Sequence, residues 1–309
     1  MMNVRQGPPA IVVGIDADGT GQGSGALRYA IGQARARGSW VRMVHVAPSV
    51  LPEGGMWPTQ ARETTYLRRA GQQVLDRAVS NARTSAPDVQ VDPLLGHGPV
   101  VPELVAAAAD GALVVLGRES RRGLERLITG ATTLGVTERS SVPVVVVPAD
   151  WEPSDHGRVV VGVKSPGGAG ELLSHAFATA AVLGSELRVV HVKEAPEAGA
   201  APGHGTDEQS TARMLETAVH EWSAAFPDVP VETSLLHGEP VAALLGAATD
   251  GDILVLARHH RDLRHLVRLG PVPRAVLGSS TTPVEIVPLN GSPETAPLVL
   301  ERSGAFLKT

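Results

Sequence analysis

The chain has no cysteine among its 309 residues. This absence excludes a disulfide framework, a thiolate zinc site and a cysteine nucleophile. Aromatic residues are scarce, with four Trp, two Tyr and three Phe, which is too few for the stacking platform of a protein that binds single-stranded nucleic acid. The net charge is −5, so the chain also lacks the basic balance typical of nucleic-acid-binding proteins.

Long apolar runs are missing as well. The apolar stretches, such as residues 142–147, are much shorter than the roughly 20 residues that a membrane-spanning helix needs. The first ten residues, MMNVRQGPPA, contain no apolar segment typical of a secretory signal. With 43% hydrophobic residues, the chain has enough apolar material for packed cores. We therefore expect a cytoplasmic protein that engages neither membrane nor nucleic acid.

The two halves of the chain repeat each other. The segment IVVGID at 11–16 matches VVVGVK at 159–164, and His97-Gly98 matches His237-Gly238 at a separation of 140 residues. This separation stays constant over the remaining landmarks, and a period of this length indicates two domains rather than a solenoid. We predict one domain over residues 1–150, called copy one, and a second over 157–289, called copy two. A polar linker lies near 150–157, and the tail 290–309 lies outside both copies.

Each copy alternates short apolar runs with helical patterns. In copy one, strands are predicted at 11–16, 40–46, 89–95, 113–117 and 144–147, and helices at 24–37, 63–84, 101–109 and 131–139. Continuous Val, Ile and Leu runs are typical of strands covered on both faces, as in parallel sheets. The predicted fold class is therefore α/β, with two tandem, doubly wound, Rossmann-like domains. Each domain is a five-stranded parallel sheet flanked by helices.

The fifth strands of the two copies are natural contacts between the domains. Residues 144–147 and 284–287 are apolar, and an uncovered sheet edge is best protected by pairing. Glu285 interrupts the second of these strands and argues against full burial there. The sequence leaves open whether whole chains form a homodimer and whether an unknown protein partner binds.

Two loops of copy one follow strands at the sheet edge where doubly wound folds bind ligands. The first, 14–25, is rich in glycine, but its GxGxG spacing disfavours a dinucleotide fingerprint, and no GxxxxGK[ST] motif occurs. The second runs from Gly117 to Gly130, where a glycine before a helix exposes N–H groups that suit a phosphate. This segment also contains four arginines, Arg118, Arg121, Arg122 and Arg126. They either add positive charge to a phosphate site or form a solvated loop without a binding role.

Three patterns together carry a family resemblance. Strand one ends in Gly14-Ile15-Asp16, strand two closes on His45-Val46, and SVPVVVVP at 141–148 introduces the fifth strand. In its order of motifs the chain resembles a tandem universal stress protein, over about residues 10–148 and 158–288. The resemblance implies a fold like that of the adenine nucleotide alpha hydrolases.

The resemblance also implies a nucleotide site. ATP-binding members of that family carry G-x2-G-x9-G-[ST] in the second loop, with an aspartate and a valine at the adenosine. Gly117 and Gly130 keep the outer spacing, but Ser120 replaces the middle glycine and Ala131 replaces the Ser/Thr. The positions that the resemblance assigns to ATP, with Mg²⁺ as its companion, are Asp16, Val46, Gly117, Ser120, Gly130, Ala131, Thr132 and Thr133.

Copy two departs from this pattern. Lys164 replaces the aspartate, Ala257 and His260 replace the first two glycines, and Pro271 replaces the Ser/Thr, although Gly270 remains. We expect copy two not to bind ATP in the family's manner. Its histidine- and arginine-containing loop, 258–268, is open to two interpretations, an anion-binding or pH-sensing site and an exposed loop.

The function implied is that of a stress-response protein that binds ATP in copy one and acts by binding or regulation. It is not expected to be an enzyme beyond slow ATP hydrolysis, because no catalytic residue, Walker-type lysine or G-x-S-x-G elbow is present. The alternative is an interaction or scaffold protein of the same family that binds no nucleotide, as Ser120, Ala131 and the altered copy two would allow.

Overall fold

The computed structural model describes residues 7–16, 25–47, 58–118, 130–154, 157–194, 208–249, 252–259 and 269–289. In copy one the elements are β1 Ile11–Gly14, α1 Gly25–Ala36, β2 Val41–Ala47, α2 Pro58–Ser85, β3 Val91–His97, α3 Val100–Ala108, β4 Leu113–Arg118, α4 Ala131–Arg139 and β5 Val144–Pro148. In copy two they are β6 Val159–Val163, α5 Gly170–Leu183, β7 Leu187–Lys193, α6 Glu208–Ala225, β8 Val231–His237, α7 Pro240–Ala247, β9 Ile253–His259, α8 Pro271–Ser279 and β10 Val284–Leu289. The predicted alternation of strands and helices is confirmed.

All ten strands belong to one sheet, in the order β3-β2-β1-β4-β5-β10-β9-β6-β7-β8. Within each copy the strands are parallel, whereas β5 and β10 pair antiparallel and join the two copies. The predicted doubly wound α/β class and the contact between the fifth strands are confirmed. The antiparallel pairing gives the sheet an approximate two-fold axis, which passes through the β5–β10 pair.

Both faces of the sheet are buried, as the continuous apolar runs predict. Ile11 and Val13 of β1 face one core, and Val12 faces the other. The first core continues from copy one into copy two under α1, α2, α5 and α6, whereas the opposite face carries a separate core in each copy. The two copies are therefore packed into one continuous unit on one face. Among the helices of the described ranges, none is both long and apolar enough to cross a membrane.

Gly98 and Gly238 form the turns between the third strand of each copy and the next helix. Their φ angles are +129° and +122°, a region that side chains other than glycine rarely adopt. The repeated His-Gly pair thus serves the backbone turn in both copies.

Glu285 corrects one expectation from the sequence. It lies on β10 directly opposite Val145 of β5, and its side chain is only 1% exposed. Its Oε1 is 2.7 Å from Nε2 of His175 on α5. The prediction that Glu285 opposes full burial is wrong, because a histidine partner satisfies the carboxyl group within the domain interface.

Tyr29 on α1 occupies the position in copy one that His175 occupies in copy two, at a separation of 146 residues. Its ring is buried and contacts the linker residue Trp151 edge-on, with 5.3 Å between ring centroids. Burial raises the pKa of Tyr29 well above its ordinary value, and the negative charge of Glu285 raises it further. The approximate two-fold axis therefore passes near a polar cluster of Tyr29, His175 and Glu285 in an otherwise apolar core.

A second buried acid, Asp252, links two strands of copy two at the amino ends of the sheet. Its carboxylate accepts hydrogen bonds from the backbone N–H groups of Arg158 and Thr249, both at 2.9 Å, and pairs with the Arg158 guanidinium at 3.2 Å. Burial by itself raises the pKa of Asp252, but these donors outweigh it and hold the pKa below its ordinary value of 3.8.

The depressed pKa of Asp252 predicts an acid-sensitive contribution to stability. A carboxyl with a lower pKa in the folded state stabilises fully above the unfolded pKa and loses this effect as the pH falls through the folded pKa. We expect Asp252→Asn to lower the free energy of unfolding at pH 7 by about 2 kcal/mol and to flatten its decline below pH 4. Urea unfolding at several pH values measures this. The exposed Asp228→Asn is the control, and an acid limb equally steep in Asp252→Asn and the wild type would contradict the assignment.

Candidate functional site

The candidate site lies at the carboxyl edge of the copy-one sheet, where the chain order switches between β1 and β4. Continued by two residues, the register of β1 with β2 places Asp16 level with Val46. The register of β1 with β4 places Ile15 level with Gly117. Asp16 is exposed and Val46 is almost buried. Three positions predicted from the sequence thus meet at one topological switch point, the usual ligand crevice of such sheets.

His45 holds this edge in place. Its Nδ1–H donates to the carbonyl of Ile15 at 2.8 Å, directly before Asp16. His191 of copy two makes the same bond to Val163 at 2.8 Å, directly before Lys164. The repeated His-Val motif therefore positions the end of the first strand in each copy. Sequence reasoning used His45 only as a marker, although its recurrence 146 residues later was a signal of a structural role.

The N-terminus of α4 provides the phosphate side of the candidate site. Gly130 caps the helix with φ −54° and ψ 146°, and a Cβ added there would meet no heavy atom of the described residues within 4 Å. Ala131 and Thr132 are exposed, whereas Thr133 is buried. Each of these residues carries an N–H, and the first N–H groups of a helix have no acceptor within it. The residues present fit a phosphate group, because a helix N-terminus offers backbone donors and positive potential, and no described residue crowds Gly130.

The guanidinium of Arg118 contacts copy two, a destination that neither interpretation from the sequence included. Its guanidinium donates to the carbonyls of Leu277, at 2.7 Å, and Ser280, at the C-terminal end of α8 in copy two. Ser120, Arg121, Arg122 and Arg126 lie outside the described residues. Gly117 itself is exposed, and a Cβ there would make only an ordinary contact with Ala26.

Arg258 makes the mirrored contact from copy two to copy one. Its guanidinium donates to the carbonyls of Thr137 and Ser140, both at 2.7 Å, at the C-terminal end of α4. Sequence reasoning missed this reciprocal pair of arginines. The signal was present, since Arg118 and Arg258 are separated by the same 140 residues as the other landmarks.

Copy two lacks the features that make α4 a candidate for phosphate. Lys164 is exposed at the position equivalent to Asp16. Helix α8 begins with Pro271 and carries a second proline, Pro273, in its first turn, so two of its first three N–H groups are absent. The loop residues 260–268 and the tail 290–309 lie outside the described residues.

Together the fold and this edge define a class of protein: a tandem Rossmann-like α/β protein whose first copy carries a candidate nucleotide crevice. Comparison with known sequences gives the family. The model of the universal stress protein family matches the chain twice, over residues 9–148 and 156–288. The chain therefore belongs to the universal stress protein family, in a tandem arrangement.

Individual relatives are similar over nearly the full length. Universal stress protein Mb2019 of Mycobacterium bovis is 27% identical over 94% of this chain and 99% of its own length. A universal stress protein of Mycolicibacterium smegmatis is 26% identical over 90% of this chain and 96% of its own. A crystal structure of a universal stress protein from Archaeoglobus fulgidus, 18% identical, superposes with a TM-score of 0.58 over 90% of this chain and 96% of that chain. This structural likeness supports the fold.

Proposed function

We propose that copy one binds ATP, with Mg²⁺ as its companion, and that the protein acts by binding or regulation. The observation that carries this proposal is the meeting of Asp16, Val46 and Gly117 at the switch point beside the open N-terminus of α4. Asp16 and Val46 would hold the adenosine. The N–H groups of α4 would hold phosphate, and Ala131 leaves them available although it lacks the hydroxyl of the family motif.

The proposed role is regulatory rather than catalytic. Asp16 lies at this edge of copy one, the Glu103 carboxylate packs beside Gly96 at the neighbouring end of β3, and copy one contains no lysine. A nucleotide held only by backbone N–H groups and an adenosine pocket is bound without an activated attacking group. We therefore expect ATP to remain intact over the time of a binding experiment, apart from slow hydrolysis.

Gly130→Asp tests the site with little risk to the fold. Aspartate is a favoured N-cap residue and the position has free space, so helix stability should be maintained. A carboxylate beside bound phosphate should weaken ATP affinity about a hundredfold, because juxtaposed like charges cost several kcal/mol. Calorimetric titration of ATP with Mg²⁺ measures the affinity, and thermal unfolding checks the fold.

Gly270→Asp is the matched control, since Gly270 caps α8 of copy two and a Cβ there makes only an ordinary contact with Pro273. It should leave the affinity unchanged, whereas Asp16→Ala should weaken it. Equal affinities of Gly130→Asp and the wild type would exclude α4 as the phosphate site. Absence of binding by the wild type up to millimolar ATP would overturn the proposal and favour a scaffold that binds no nucleotide.

A further inference from the structure

Arg258 crosses from copy two to hold a helix of copy one. The residue is 3% exposed and follows Ala257, the counterpart of Gly117. We propose that Arg258 is a positioning residue for the ATP site of copy one, acting through α4 from the end opposite the ligand. This inference rests on the proposed function, because it assigns a role toward the nucleotide that copy one would bind.

The contact is suited to fixing a helix end. The last carbonyls of a helix have no donor within the helix, and they carry the negative end of its dipole. The Arg258 guanidinium supplies two donors and a positive charge there, to Thr137 and Ser140. Burial lowers the pKa of Arg258, and the charge of Glu138 opposes this shift. Because the guanidinium is almost fully buried, it has few alternative hydrogen-bond partners. It therefore fixes the position of the C-terminal end of α4.

Helix α4 carries this restraint to the candidate site. It has nine residues and is therefore about 13 Å long, a length over which a packed helix moves as a rigid body. Gly135, near its middle, packs so closely on α3 that an added Cβ would lie 2.8 Å from Val101. With its middle packed and its C-terminal end bound by Arg258, the N–H groups after Gly130 are held in a set direction before the nucleotide arrives. Such preorganisation increases affinity.

The mirrored contact in the other direction has no such consequence. The mirrored Arg118 caps α8, but α8 begins with prolines and offers phosphate few donors. The two arginines make equivalent contacts, but their consequences for ligand binding differ. Only the helix held by Arg258 begins at a candidate phosphate site. In this arrangement copy two restrains the helix of copy one that borders the candidate site.

The experiment uses the full chain and compares Arg258→Met, Arg258→Lys and Arg158→Met with the wild type. Arg158 pairs with buried Asp252 in copy two, at the amino ends of the strands, so Arg158→Met destabilises copy two without touching α4. ATP affinity is measured by calorimetric titration under conditions where urea curves show every variant folded. Hydrogen exchange of the amides of residues 134–138, which are hydrogen-bonded within α4 from Leu134 onward, is measured without nucleotide.

We expect Arg258→Met to weaken ATP affinity about tenfold, within the usual range of coupling between sites, and to speed exchange at residues 134–138. Arg258→Lys should recover part of both, because it keeps the charge and one donor direction. Arg158→Met should change neither. If Arg258→Met leaves both ATP affinity and exchange unchanged, this inference is overturned while the proposed function stands. The same holds if Arg158→Met weakens ATP affinity as much as Arg258→Met does. Failure of the wild type to bind ATP would overturn the proposed function, and with it the link from Arg258 to ATP.

Discussion

Replacing His175 with leucine is expected to lower the free energy of unfolding by about 3 kcal/mol, because it leaves the carboxyl of Glu285 buried without its partner. Nε2 of His175 is 2.7 Å from Oε1 of Glu285, and the glutamate side chain is 1% exposed. The histidine side chain is 25% exposed, so some water can reach the gap, which places the loss at the lower end of values for broken buried pairs. Urea unfolding of the full chain measures it.

Replacing Glu285 itself is expected to have the opposite effect on stability, because it removes the buried carboxyl group. Glu285→Val installs the residue that copy one carries at the equivalent and directly opposed position, Val145. Replacing a buried charged group by an apolar one of suitable shape is often neutral or stabilising, so the double variant with His175→Leu should regain most of the loss. The exposed His220→Leu is the control and should change stability by less than about 0.5 kcal/mol. A double variant as unstable as His175→Leu alone would contradict this account of the pair.

The first residue of α1 is expected to be nearly as sensitive. A Cβ at Gly25 would lie 2.1 Å from the carbonyl oxygen of Pro148 and 3.1 Å from the Cβ of Trp151. The Gly25 N–H also donates to the carbonyl of Ala149 at 3.0 Å, so the helix cannot move away without losing this bond. We expect Gly25→Ala to lower the free energy of unfolding by about 2 to 3 kcal/mol, the cost of overpacking against the backbone.

Gly32 of the same helix provides the matched control. It is exposed, and within the part of the chain that the structure describes a Cβ there would meet no heavy atom within 4 Å. Gly32→Ala should raise the free energy of unfolding by about 0.5 to 1 kcal/mol, because alanine loses less backbone entropy in a helix interior. Opposite signs for the two glycines support the packing of α1 against the linker. Gains of similar size at both would show that helix propensity, rather than contact with Pro148, governs the position.

Local pattern was sufficient for most of the fold. The apolar runs and the repeat predict each strand and the contact between the fifth strands. A strand buried on both faces of a parallel sheet consists of consecutive apolar residues, which are visible in the sequence. Element ends were less certain: α2 begins at Pro58, five residues before the predicted start. Patterns of period 3.6 weaken at polar helix ends, where few residues are buried.

For the candidate site, the sequence supplied the residue types but not their neighbours. Asp16, Val46 and Gly117 could be placed at one edge in advance, because parallel strands bring their carboxyl ends together. The destination of Arg118 could not, since its partners lie about 160 residues further along the chain. In the same way, an acid in an apolar strand indicates exposure until its partner is known, and His175 is 110 residues away from Glu285.

What the sequence by itself determined is therefore the family, the tandem α/β architecture and the strand ends that meet at the crevice. These depend on periodicity and on short motifs that are read within a few residues. The tertiary structure alone decided which charged groups are buried and which arginines cross between the copies. Those outcomes depend on hydrogen bonds between residues distant in sequence, and a buried charge is stable only where the fold brings it a partner.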